Sequence, residues 1–175
     1  MVIRNVILNT IFAATIANSQ TAPVSERAQT RIAKETRHEI VMLPYFDVFD
    51  NIEFRVDGAT VTLLGQVTRP TLKTDAGNVV KEIEGVGNVV NQIEVLPVSP
   101  NDDRLRVALY RAIYGFASLQ RYVLPVIKPI RIIVKNGNVA LEGVVNSQSD
   151  KDIVKLRANG VSGVFSVTNN LRVEQ

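Results

Sequence analysis

From Ile52 to Val95, a shift of 78 residues lays the second half of this chain over the first without a gap. Ile52 then meets Ile130, and Val56 meets Val134. Val61, Leu63, Gly65 and Val67 meet Val139, Leu141, Gly143 and Val145. Gly85, Val86, Val89 and Asn91 meet Gly163, Val164, Val167 and Asn169, and Ile93 and Val95 meet Leu171 and Val173. The matched residues are apolar side chains at strand spacing, with glycine and asparagine where elements end. Those are positions a fold constrains, so a duplicated module accounts for them better than chance does.

Each half then predicts the same elements. In the first, Ser25 is placed to cap a helix that runs to Leu43, with Pro44 stopping it and Ile32, Ala33, Ile40 and Leu43 forming its apolar stripe. Strands are expected at Ile52–Val56 and Thr60–Val67, joined by a hairpin turn at Asp57-Gly58. A second helix is expected to start near Thr68 and Pro70 and to end at Gly85, followed by a last strand over Val89–Val95. The second half predicts a helix from Asn101 or Asp102 to about Phe116, and a hairpin of Ile130–Val134 and Asn138–Val145 turning at Asn136-Gly137. A helix over Gln148–Ala158 and a strand over Val167–Val173 complete it. The expected class is α/β (α+β), as two tandem αββαβ modules, each a small three-stranded sheet covered by two helices. The domains are expected at residues 20–96 and 102–175, with a stiff Pro-containing linker at 97–101.

Residues 1–19 read as a secretory signal. Arg4 supplies a positive flank, an apolar run spans Val6 to Ile16, and small residues lie around Ala17 and Ser19. The mature chain is therefore expected in the periplasm or outside the cell. The run is short for a membrane span, and none is expected in the mature chain. Cysteine is absent, which excludes disulfides, thiolate chemistry and a lipoprotein anchor.

The motif Gly-Val-x-x-Val-x-Asn-x-φ-x-Val (φ an apolar residue) stands at Gly85–Val95 and again at Gly163–Val173, each time after a strand glycine, Gly65 or Gly143, and a helix. This pattern resembles the BON domain, over roughly residues 26–96 and 102–174. The resemblance implies the αββαβ fold, a bacterial envelope location, non-enzymatic work and affinity for phospholipid surfaces. In that light Gly65, Gly85, Asn91, Gly143, Gly163 and Asn169 are architectural and mark no reactive site.

Independent chemistry points the same way. His38 is the only histidine and sits in a charged helical stretch, so a histidine-based triad has little to draw on. Asp47 and Asp50 lack a calcium-loop pattern, and Gly85-Val-Gly87 lacks the rest of a dinucleotide fingerprint. No catalytic residue, metal site or cofactor is expected. Charge is uneven: residues 1–100 carry 9 Lys/Arg against 11 Asp/Glu, and residues 101–175 carry 11 against 6. Within 104–135 there is no acid at all. Arg104, Arg106, Tyr110, Arg111, Tyr114, Arg121, Tyr122 and Lys128 are candidates there for contact with an anionic lipid or a partner. Leu105, Leu109, Ala112, Ile113 and Phe116 in the same stretch fit a core stripe, which would leave the arginines as a solvated face. The oligomeric state stays open. A periplasmic protein-interaction scaffold is the second expectation, and nucleic-acid binding through the basic half the third.

Overall fold

The computed structural model describes residues 25–174. The expected leader at 1–19 lies outside them. The chain forms two αββαβ modules in tandem. The first contains α1 (Glu26–Val41), β1 (Asn51–Asp57), β2 (Thr60–Val67), α2 (Pro70–Lys81), β3 (Asn88–Asn91) and β4 (Glu94–Val95). The second contains α3 (Pro100–Tyr114), a 3-10 turn at Ala117–Tyr122, β5 (Ile130–Lys135), β6 (Asn138–Val145), α4 (Gln148–Asn159), β7 (Ser166–Asn169) and β8 (Arg172–Val173). In each sheet the middle strand, β2 or β6, pairs antiparallel with its hairpin partner and parallel with the last strand.

Period-2 alternation puts Val61, Leu63 and Val67 of β2, and Val139, Leu141 and Val145 of β6, under the helices, where all are buried. Leu72, Ala76 and Val80 of α2 and Val154 and Ala158 of α4 close these cores at helical spacing. Serine side chains accept the first amides of three helices, at Ser25, Ser99 and Ser147.

The structure corrects several sequence expectations. Ser99, not Asn101 or Asp102, caps α3, and Pro100 takes its first position. Asp102 instead points into the fold and accepts the amides of Asn136 (2.8 Å) and Gly137 (2.9 Å), holding the second hairpin turn. The first hairpin turns at Gly58-Ala59, because Asp57 stays in register with Thr60. Gly85 and Gly163 do not end helices. Each is the third residue of a turn after the helix, with φ +88° and +89°, closed by Val86 N to Ile83 O and Val164 N to Val161 O.

Gly65 and Gly143 lie inside β2 and β6, not at their ends. Their φ values are +110° and +116°, and a Cβ would stand 2.1 Å from Asn51 O and 1.9 Å from Pro129 O. Only glycine fits.

The last strand of each module is broken. Asn91 donates to Lys73 O (2.7 Å) on α2 and accepts from Ile93 N (3.2 Å). Asn169 repeats this with Lys151 O (2.9 Å) and Leu171 N (3.3 Å). The asparagine thus replaces ladder bonds where the strand steps out and rejoins.

The two modules touch. Residues 44–50, between α1 and β1, reach the free side of β5, where Val48 O accepts from Ile132 N at 2.9 Å. Val48, only 8% exposed, packs in the second module's core, and Phe49 meets Tyr110 edge-on with ring centroids 6.4 Å apart. The Arg131 guanidinium lies over the Phe46 ring at 4.5 Å and donates to Asp47 O. Glu94 pairs with Lys135 on the far side.

Candidate functional site

The eight basic and aromatic candidates do not share one surface. Helix α3 buries a wide stripe that includes Leu105, Arg106, Leu109, Ile113 and Tyr114. Arg106 is only 5% exposed and donates to Val134 O (2.8 Å) while pairing with Asp103. The Tyr114 hydroxyl donates to Ile130 O (2.6 Å) and accepts from Ile130 N (3.2 Å). The Tyr122 hydroxyl donates to the buried Asp150 (2.8 Å) and accepts from Asn146 N (2.8 Å). Arg121 stacks on Tyr122 and pairs with Asp150 at 3.0 Å. Tyr110 is half-buried, 4.9 Å from the Tyr114 ring. Lys128 donates to Val123 O (2.7 Å) and Pro125 O (2.8 Å) and so ties its own loop. Arg106, Tyr114 and Tyr122 hold the module together and cannot meet a surface. Their partners lie in distant segments, which local spacing does not disclose.

Burial raises the Tyr114 hydroxyl well above its ordinary 10, against the opposing effects of its bond to Ile130 and the nearby Arg131. Tyr122 is raised too, first by burial. Above pH 10 the unfolded tyrosine loses its proton while native Tyr114 keeps it, so stability must fall as pH rises past 10. The expected slope is about 1.4 kcal/mol per pH unit for each such tyrosine. Tyr114→Phe should be less stable at neutral pH by about 1–3 kcal/mol, because Ile130 loses its partner. Its decline above pH 10 should be flatter in urea titrations. Parallel curves for the two proteins would refute this.

Arg104 and Arg111 do remain on the surface, on the outward strip of α3 with the exposed Val107. Sequence reasoning missed what continues this strip. Helix α4 lies beside α3, with Arg157 donating to Ala112 O (3.1 Å) across the seam and stacking on Phe116 at 4.8 Å. Next to it, Lys155 and Leu156 are exposed. Four cations and two exposed aliphatic side chains thus line one helical layer. Among the described residues, none of Arg104, Arg111, Lys155 and Arg157 is ion-paired. Two exposed acids lie in the same layer, Asp103 on α3 and Asp152 on α4. In the first module's helical layer Glu26, Glu35 and Glu39 alternate with the cations, and Arg31 pairs with Glu35 (3.3 Å) and Glu84 (3.2 Å).

Two further surfaces stand out. The loop between the 3-10 turn and β5 exposes Leu124, Val126 and Ile127. A cleft of about 610 Å³ lies between the modules, lined by Ala33, Arg37 and Asn51–Phe54 on one wall and by Lys128, Arg131, Glu142 and Arg172 among others on the second. Burial lowers the Arg131 pKa, against the opposing effects of Tyr114, Asp50 and Asp47. Among the described residues no cluster of three His, Asp or Glu could hold a metal, and no helix is long and apolar enough to cross a membrane.

A repeated αββαβ unit, with a strand glycine and an asparagine that interrupts the last strand, defines the class. The BON domain model matches residues 28–97 and 118–175, and the chain belongs to the BON domain family. The second match begins after α3, where residues 115–129 form a longer connection than residues 42–50 of the first module. A search among curated proteins finds no match. Two solved structures of CdsD, a structural protein of the type III secretion system of Chlamydia trachomatis, resemble the chain. The C-terminal domain of CdsD has 13% identity, covering 84% of this chain and 99% of that one, with a TM-score of 0.30. The other structure has 14% identity, covering 83% and 94%, with a TM-score of 0.29.

Proposed function

We propose that this chain is a non-enzymatic envelope protein that binds anionic phospholipid surfaces peripherally, through the helical layer of its second module. The observation that carries the reading is the set of exposed cations Arg104, Arg111, Lys155 and Arg157, none in an ion pair among the described residues, on the helices that expose Val107 and Leu156. Guanidinium groups meet lipid phosphate, and the aliphatic side chains enter the headgroup boundary. Family membership supports an envelope role, and the leader expected at residues 1–19 supports export.

Each cation near an anionic surface contributes about 1 kcal/mol. Four give about 4 kcal/mol, which corresponds to a roughly millimolar dissociation constant. Binding should therefore be weak for a single copy and sensitive to salt. Co-sedimentation with phosphatidylglycerol vesicles tests it, with phosphatidylcholine vesicles as control. The expected result is binding at low salt that is lost at high salt and lost in Arg104→Glu/Arg111→Glu, whose exposed positions leave folding intact. Binding that survives the double reversal, or none at low salt, would sink the reading.

A further inference from the structure

The duplication lets one loop be compared with its own copy. Residues 47–49 of the first module dock on the free side of β5 through Val48, as described above. Counted back from β1 and β5, at the 78-residue shift of the strands, Val48 corresponds to Val126, Phe49 to Ile127 and Asp50 to Lys128, in a connection that is longer in the second module. That second copy of the loop covers nothing: Val126 is 97% exposed and Leu124 84%.

The receiving side is also duplicated. Ile132, whose amide binds Val48 O, corresponds to Phe54. Both occupy the same register, Ile132 opposite Leu141 and Phe54 opposite Leu63, so the Phe54 amide faces the free side of β1. Helix α3 flanks β5 with Tyr110, which receives Phe49. Aligning the buried stripes Ile32-Thr36-Ile40 and Leu105-Leu109-Ile113 puts Arg37 at the place of Tyr110. Ala33, Arg37 and Asn51–Phe54 line the open cleft. The groove filled by residues 47–49 in the second module is therefore open in the first.

Charge agrees, with its sign exchanged. In the filled contact Arg131 donates to the backbone O of Asp47, in a loop that also carries Asp50. In the open one the loop carries Lys128, and the position of Arg131 is taken by Glu53. The Lys128–Glu53 pair is attractive, against the opposing charge of Arg37 on the same wall of the groove.

We propose that the chain associates head to tail with a second copy of itself: loop 124–128 of one copy enters the α1–β1 groove of the next, Val126 taking the place of Val48 and Lys128 facing Glu53. Such a contact joins two different patches, so it builds rings or open chains instead of a closed two-fold dimer. It stands independently of lipid binding.

The test is sedimentation velocity of the full chain over a concentration series up to millimolar. The wild type should gain mass with concentration. Val126→Asp should weaken association roughly tenfold or more, with thermal unfolding unchanged, because the side chain is exposed. Glu53→Lys and Lys128→Glu should each weaken it, and an equimolar mixture of these two variants should restore association at their matched groove. Because the chain has no cysteine, a second readout is direct. A mixture of Val126→Cys and Glu53→Cys chains should yield the mixed disulfide dimer in excess over either homodimer. A wild type that stays monomeric at millimolar concentration, or a predominance of Val126→Cys homodimer, would overturn the proposal.

Discussion

Gly143→Ala is expected to cost the second module about 2–6 kcal/mol, a large share of the stability of a small domain. Two effects combine. The backbone at φ +116° is outside the range L side chains readily adopt, a strain of about 1–3 kcal/mol. The new methyl would also stand 1.9 Å from Pro129 O, which must move although that carbonyl accepts from Val144 N. A forced shift of this kind costs about 1–3 kcal/mol more. Gly65→Ala should act alike on the first module, through Asn51 O. Urea unfolding followed by tyrosine fluorescence checks this. A loss below about 1 kcal/mol would mean that the strand relaxes freely at this point.

Val48→Asp is expected to weaken the docking of the two modules without unfolding either. A buried, unpaired carboxylate costs about 3–5 kcal/mol. Undocking forfeits one backbone hydrogen bond, the Phe49–Tyr110 and Arg131–Phe46 contacts and the Arg131 bond to Asp47 O, about 0.5–1.5 kcal/mol each. Val48 burial is forfeited by the substitution in either state, so the carboxylate's cost is comparable with everything else that holds the modules together, and docking should be weakened. Calorimetry should turn a single cooperative transition into two, and protease should gain access near residues 97–99. A single transition at the wild-type temperature would show that the contact contributes nothing.

The repeat and the alternation of β2 and β6 make the architecture legible in the sequence. Periodicity needs only neighbours two or four residues away, and burial obeys it here without exception at Val61, Leu63, Val139 and Leu141. The two strand glycines were visible as glycines, but not the reason for them, because the colliding carbonyl belongs to a segment 14 residues earlier. The candidate surface was legible only in part. Arginine and tyrosine each have an apolar body with a polar tip, and which end is served depends on a partner far along the chain. Arg106 finds Val134 O, and Tyr122 finds Asp150. Arg104 and Arg111 find no such partner and stay outside. Val48 shows the same limit. Its valine suits any loop, and only the placement of β5 makes it part of a core.

The asparagine breaks in the last strands have a consequence for assembly at large. A sheet with two intact borders can recruit further chains on either side and grow without control. Here the border formed by β3 and β4, like that of β7 and β8, is stepped by Asn91 or Asn169 and offers no continuous row of amides. Traffic is confined to the opposite border, and in the second module that lane is already taken by Val48. One unoccupied lane per chain gives a head-to-tail assembly a polarity along its length.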